Sequence, residues 1–303
     1  MFDFYNKTDG GNIMKKNIQV FDYAQLRRTV YDYKEKFPFA GYCVCARSWS
    51  GRAIFSLSLG NRQSPALFVA GFKGGDVVSV RVLLRFFERL CKCVEEKTEV
   101  AGIRISEVFK EKGVVIVPCV NPDGMEISIR GAVAAGSYAG LVERVCGDTG
   151  LWYANARGVD LNLNFSSGFT RSKKAAEGCG YTAPGPYFYA GKVPESEPET
   201  RALSRLCRSR DVRHTLTLES GADYIYSPVC RDGSERTEMM TRILELSAGM
   251  KRINEQPGPL VRHSFADWFV EKYKKPSFVL NANGTVQDIY SRLEEMLVLS
   301  IIM

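Results

Sequence analysis

The chain has 303 residues, 45% of them hydrophobic and 25% charged, with a formal net charge of +7. That length and balance fit one large α/β domain or two small ones and exclude wholesale disorder. The 41 Lys and Arg are dispersed rather than gathered in a run, so the excess reads as a solvated basic surface and no nucleic-acid partner is expected.

Residues 1–17 read as a loose leader and 18–303 as a single domain. Met1 to Lys16 carry Asp3, Lys7 and Asp9, and no apolar h-region follows a basic start. No segment reaches the ~18 uninterrupted apolar residues of a membrane span. Together these predict a cytoplasmic protein with no membrane partner.

A helix is expected over Asp22–Phe37, stopped by Pro38. Three strand-like runs follow, Tyr42–Ala46, Ala53–Leu59 and Ala66–Ala70, punctuated by Gly51 and Gly60. Val77–Val94 repeats apolar residues at helical spacing (Val80, Leu83, Leu84, Phe87, Leu90). Val114–Val117 is a β-branched run of the kind buried on both faces, and Asn121-Pro122-Asp123-Gly124 after it reads as a turn.

Gly131–Pro186 is rich in Gly, Ala and Ser and is expected to be mostly long loops. Ser196 is the expected N-cap of a helix to Arg208, with Glu197 and Glu199 in its first turn. Strands are expected at Thr215–Leu218, Tyr224–Tyr226 and Ser277–Leu280. Helices are expected at Arg236–Arg252, Ser264–Lys274 and Val286–Ile301. Strands alternating with helices predict an α/β fold with a mainly parallel sheet. Ligands then bind beyond the carboxyl ends of its strands, on the loops after Ala70, Val117 and Leu218.

The nine cysteines are odd in number and lack metal-knuckle or disulfide spacing. Cys43 and Cys45 should share a strand face, whereas Cys91 and Cys93 on a helix should not. The only two histidines, His214 and His263, read as packing or surface residues.

Several segments resemble signature stretches of the zinc carboxypeptidase family. They are Asn121-Pro122-Asp123-Gly124, Asn155-Ala156-Arg157-Gly158-Val159-Asp160-Leu161-Asn162 and Pro194-Glu195-Ser196-Glu197-Pro198-Glu199-Thr200. Asp267-Trp268 and the closing Arg292-Leu293-Glu294-Glu295-Met296-Leu297 are similar to the bacterial branch that trims peptidoglycan stem peptides, the γ-D-glutamyl-diaminopimelate peptidases. The resemblance implies a single-domain α/β fold: a twisted, mixed, mostly parallel eight-stranded sheet flanked by helices.

It also implies a zinc site, and there the sequence departs from the family. The His-x-x-Glu ligand pair falls at Lys73 and Asp76, and the distant His falls at Glu219. The general-base Glu falls at Asn281, and a substrate-binding Arg or His falls at Leu163. Lysine has no lone pair at neutral pH, and an amide accepts no proton there. Lys73 standing between Asp76 and Glu219 would replace the metal charge.

Arg157 and Asn162 remain as substrate-binding candidates, with a structural salt bridge equally open for Arg157. The resemblance therefore implies a pseudoenzyme with no cofactor, retaining a peptide or peptidoglycan stem-peptide ligand or a protein partner. The alternative is an active peptidase using zinc, or oxygen-bound Ca²⁺ or Mg²⁺ at Asp76, Glu219 and Asp160, in a relocated site. A third reading is an interaction protein whose old pocket is filled in.

Overall fold

A computed structural model describes residues 20–228, 235–256 and 263–303. The expected leader, 1–17, lies outside them. Asp22 caps the first helix, α1 (Tyr23–Lys36), by accepting from the Gln25 amide at 3.0 Å. Strands β1 (Gly41–Arg47), β2 (Ala53–Gly60) and β3 (Ala66–Ala70) follow, then the long helix α2 (Val77–Glu96). The short hairpin β4 (Glu99–Val100) and β5 (Ile103–Arg104) and the helix α3 (Ile105–Glu111) come next. Sequence reading gave no sign of these three, because they are too short to show a period. Strand β6 (Gly113–Val117) then enters the sheet.

Asn121-Pro122-Asp123-Gly124 is not a free turn. Asn121 caps helix α4 (Pro122–Arg130), with Pro122 in the first turn, where a missing amide costs nothing. Nor is 131–186 mostly loop. It holds 3-10 turns at Ala132–Tyr138, Thr149–Leu151 and Leu161–Leu163, with helices α5 (Ala139–Val145) and α6 (Phe169–Gly178). The buried side of α6 is Phe169, Ser172 and Ala176, two of which are too small or too polar to announce a helix.

Helix α7 (Pro198–Ser209) starts one residue later than expected, and its N-cap is Glu197 rather than Ser196. The chain continues through β7 (His214–Ser220), β8 (Tyr224–Tyr226) and α8 (Glu235–Ala248) to β9 (Arg252–Ile253). It ends with α9 (Phe265–Tyr273), β10 (Ser277–Ala282) and α10 (Val286–Ile302). Helix α9 carries a Ser264–Asp267 capping box.

The strands form one eight-stranded sheet in the order β1-β2-β6-β3-β7-β10-β8-β9. Its centre, β6-β3-β7-β10, is parallel throughout; β2 and β8 flank it antiparallel. Alternate strand residues feed two cores. Phe68, Ile116, Leu218 and Leu280 pack toward α2 and α10, while Leu67, Val69 and Val117 pack toward α7 and α9. Burying each such Leu or Phe contributes about 1.5–3 kcal/mol, so these two layers fix the strand register. The mixed eight-stranded sheet matches the expected fold.

The described cysteines are all free. A register shift between Val44 and Ala46 interrupts the pairing of β1 with β2 at Cys45. The strict alternation expected to put Cys43 and Cys45 on one face therefore does not hold.

Candidate functional site

Parallel strands β3, β7 and β10 end at one edge of the sheet, with Asn281 in register beside Glu219. The loop from Gly71 to Asp76 leaves β3 at this edge. Gly71 turns it with φ +67°, where a Cβ would meet the Val80 side chain at 2.8 Å. Gly74 lies so close to the Trp152 and Gly124 carbonyls that a Cβ would clash at 2.4 and 2.5 Å. Asn121 staples the loop. Its Nδ2 donates to the carbonyls of Phe72, Tyr153 and Ala154 at 3.0, 3.0 and 3.1 Å, and its Oδ1 accepts from Gly124 N at 2.9 Å.

This scaffold brings Lys73, Glu219 and Asn281 together. Lys73 Nζ donates to Glu219 Oε2 at 2.8 Å. Asn281 Nδ2 reaches the same oxygen at 3.3 Å and the Tyr224 hydroxyl at 3.1 Å, while its Oδ1 accepts from Ala222 N at 2.7 Å. Burial alone would lower the Lys73 pKa, but the adjacent Glu219 carboxylate outweighs it and holds the ammonium well above its ordinary value.

Asp76 does not clasp Lys73 from the other side, as the sequence suggested. Its carboxylate accepts from the Ser79 amide as the N-cap of α2, and from the Ser220 amide (3.0 Å) and hydroxyl (2.6 Å). It acts on Lys73 through space only. Burial raises its own pKa, against the lowering pull of Ser220 and Lys73. The pattern Asp76-Val77-Val78-Ser79 is a readable capping signal. Ser220 and Tyr224 had no such signal, because their partners come from distant segments.

The other candidates are engaged elsewhere. The Arg157 guanidinium lies 4.7 Å over the Trp49 ring and 3.6 Å from Glu197 Oε1. Glu197 is fully buried and also accepts from Trp49 Nε1 (2.7 Å), Asn155 Nδ2 (2.8 Å) and the Ser196 hydroxyl (2.7 Å). This is the salt-bridge arrangement left open for Arg157. Asn162 is buried in a 3-10 turn, its amide bonded to Asp160 at 3.1 Å and its Oδ1 to the Phe265 amide at 3.5 Å. Leu163 is buried against Phe169 and Ala190.

His214 is buried in the sheet. His263 pairs with Glu271 at 3.4 Å. A cavity of about 570 Å³ lies beside α6 and α9, lined by Tyr226, His263, Asp267 and Glu271 among others. Asp267 is committed there to Tyr226, Ser264 and Gln256.

Zinc requires neutral imidazole, thiolate or carboxylate donors with one position open. An ammonium bonded to one carboxylate, a second carboxylate turned onto a helix amide and a spent amide do not fit that ion. Among the described residues no group of three or more His, Cys, Asp or Glu is placed to hold a metal. No described helix is long and apolar enough to cross a membrane.

Comparison with known proteins gives consistent relatives. The chain is 23% identical over 274 residues to γ-D-glutamyl-L-diamino acid endopeptidase 1 of Lysinibacillus sphaericus, covering 88% of this chain and 67% of that protein. It is 26% identical over 272 residues to the uncharacterized protein YqgT of Bacillus subtilis, covering 86% and 70%. In fold it is similar to thrombin-activatable fibrinolysis inhibitor, at a TM-score of 0.70 and 16% identity, covering 93% of this chain and 74% of that one. It is also similar to murein-tripeptide amidase MpaA of Escherichia coli O157, at 0.56 and 18%, covering 87% and 92%. The zinc carboxypeptidase family pattern matches residues 29–291, and the chain therefore belongs to the zinc carboxypeptidase family.

Proposed function

We propose that this chain is a metal-free, non-catalytic member of its family that binds a peptide or peptidoglycan stem-peptide fragment at the β3–β7–β10 edge. Lys73, Asp76 and Glu219 are then the former ligand positions and Asn281 the former general-base position. The observation that carries the reading is the Lys73–Glu219 ion pair at 2.8 Å with Asn281 beside it. With a fixed positive charge where a metal would bind, and an amide where a proton must be accepted, hydrolysis has neither an activated water nor a base.

The ligand class rests on relatives named for γ-D-glutamyl-diamino acid and murein-tripeptide substrates. A protein partner and a cytoplasmic setting belong to the same reading.

The test incubates the purified chain with a γ-D-glutamyl-diaminopimelate tripeptide, with and without added Zn²⁺, Ca²⁺ or Mg²⁺, and follows cleavage by chromatography. Binding of the same peptide is followed by calorimetry. Binding without cleavage under all conditions supports the proposal. Metal-dependent turnover abolished by Glu219→Gln overturns it in favour of a relocated catalytic site.

A further inference from the structure

Glu219 sits on a central parallel strand with its side chain 9% exposed. An ionised carboxylate that far from water needs a compensating positive charge held in good geometry. Asp76, three residues along the loop from Lys73, is a second buried carboxyl group, and its hydrogen bonds come from neutral donors only. Lys73 is a cation in contact with this group, donating to the Glu219 oxygen that Asn281 also approaches.

We propose that Lys73 is a resident cation of the cleft: a tethered ammonium that holds the Glu219 side chain in place, so that the strand ends keep their shape with no bound metal ion. The inference rests on the metal-free reading above and adds a role to it. Lys73 is here a positioning residue. Its point-like charge compensates Glu219 by contact and Asp76 through space, and it is the charge that any divalent cation would have to displace. Asn281 fits the same scheme. A carboxylate at that position would bring a further negative charge against Glu219, whereas the amide donates to it.

The test is a charge cycle read by thermal unfolding. Lys73→Met keeps the stem and removes the charge, and is expected to lower Tm by roughly 5–10 °C by taking away the ammonium that donates to Glu219 Oε2. Adding Glu219→Gln removes the carboxylate that Lys73 compensated and is expected to restore at least half of that loss. Truncation by Lys73→Ala should open a site for a free primary ammonium, so that ethylammonium chloride raises the Tm of this variant but not of the wild type.

A Lys73→Met protein as stable as the wild type, or a double variant no better than the single, overturns the proposal. Should Lys73→Met fail to fold, recovery of folded protein by Glu219→Gln supports the proposal and non-recovery overturns it. Zinc content is measured on the same wild-type preparation, so that failure of the metal-free reading is seen separately from failure of the charge cycle.

Discussion

Replacing Glu199 by Gln isolates a buried acid whose titration acts on stability. Glu199 is fully buried in the first turn of α7; its Oε2 is 3.4 Å from Asn155 Nδ2 and its Oε1 has no partner among the described residues. Burial, with the nearby Asp123 and Glu197 carboxylates, pushes its pKa from the usual 4.5 up to about 8. The folded chain therefore keeps a proton that the unfolded chain releases between those values.

Stability from this group is complete below pH 4.5 and is lost as pH rises toward 8. At about 1.4 kcal/mol per pH unit, the full window is worth about 5 kcal/mol, of which about 4 kcal/mol falls between about pH 5 and about pH 9. Gln resembles the protonated acid in shape and does not titrate. Urea unfolding of both proteins from about pH 5 to about pH 9 should show the wild type losing about 4 kcal/mol relative to the Gln variant, with the difference levelling off above pH 8. Parallel pH curves for the two proteins would refute a neutral buried Glu199.

Asn121→Ala should remove the α4 cap and leave the Phe72, Tyr153 and Ala154 carbonyls without their shared donor. Urea unfolding is expected to register a loss of about 3 kcal/mol or more. His214 is held neutral in the sheet, burial taking its pKa down to about 3 from 6.5. Its contribution is present above pH 6.5 and is lost as pH falls toward 3. A His214→Leu protein should accordingly unfold less steeply in an acid titration over that range, and an unchanged acid limb would count against a buried neutral imidazole.

The central sheet was legible because its strands obey simple patterns. Val114–Val117 and Ala66–Ala70 are apolar on both faces, as a parallel core demands, and α2 repeats its apolar residues at helical spacing. The helices inside 131–186 were not legible, since α6 buries Ser172 and Ala176 where a readable helix buries Leu or Val.

At the candidate site, the Lys73–Glu219 pair could be anticipated because the family resemblance places both residues at former ligand positions, where an ammonium meets a carboxylate. The destination of Asp76 could not be anticipated from charge alone, because the free amides at the start of α2 and the Ser220 hydroxyl outcompete an ammonium for its two oxygens. Arg157 shows the same limit. Its stretch marks it as a ligand contact, yet Trp49 and Glu197, which hold it, lie more than a hundred residues apart in the chain.

The central claim is that the cleft carries its own cation and does not hold zinc. Elemental analysis of the purified chain after dialysis against excess Zn²⁺, with a calorimetric titration, tests it most directly. The account predicts zinc far below one ion per chain and no binding tighter than about micromolar, roughly −8 kcal/mol. One tightly held zinc per chain, displaced by a chelator, would contradict it.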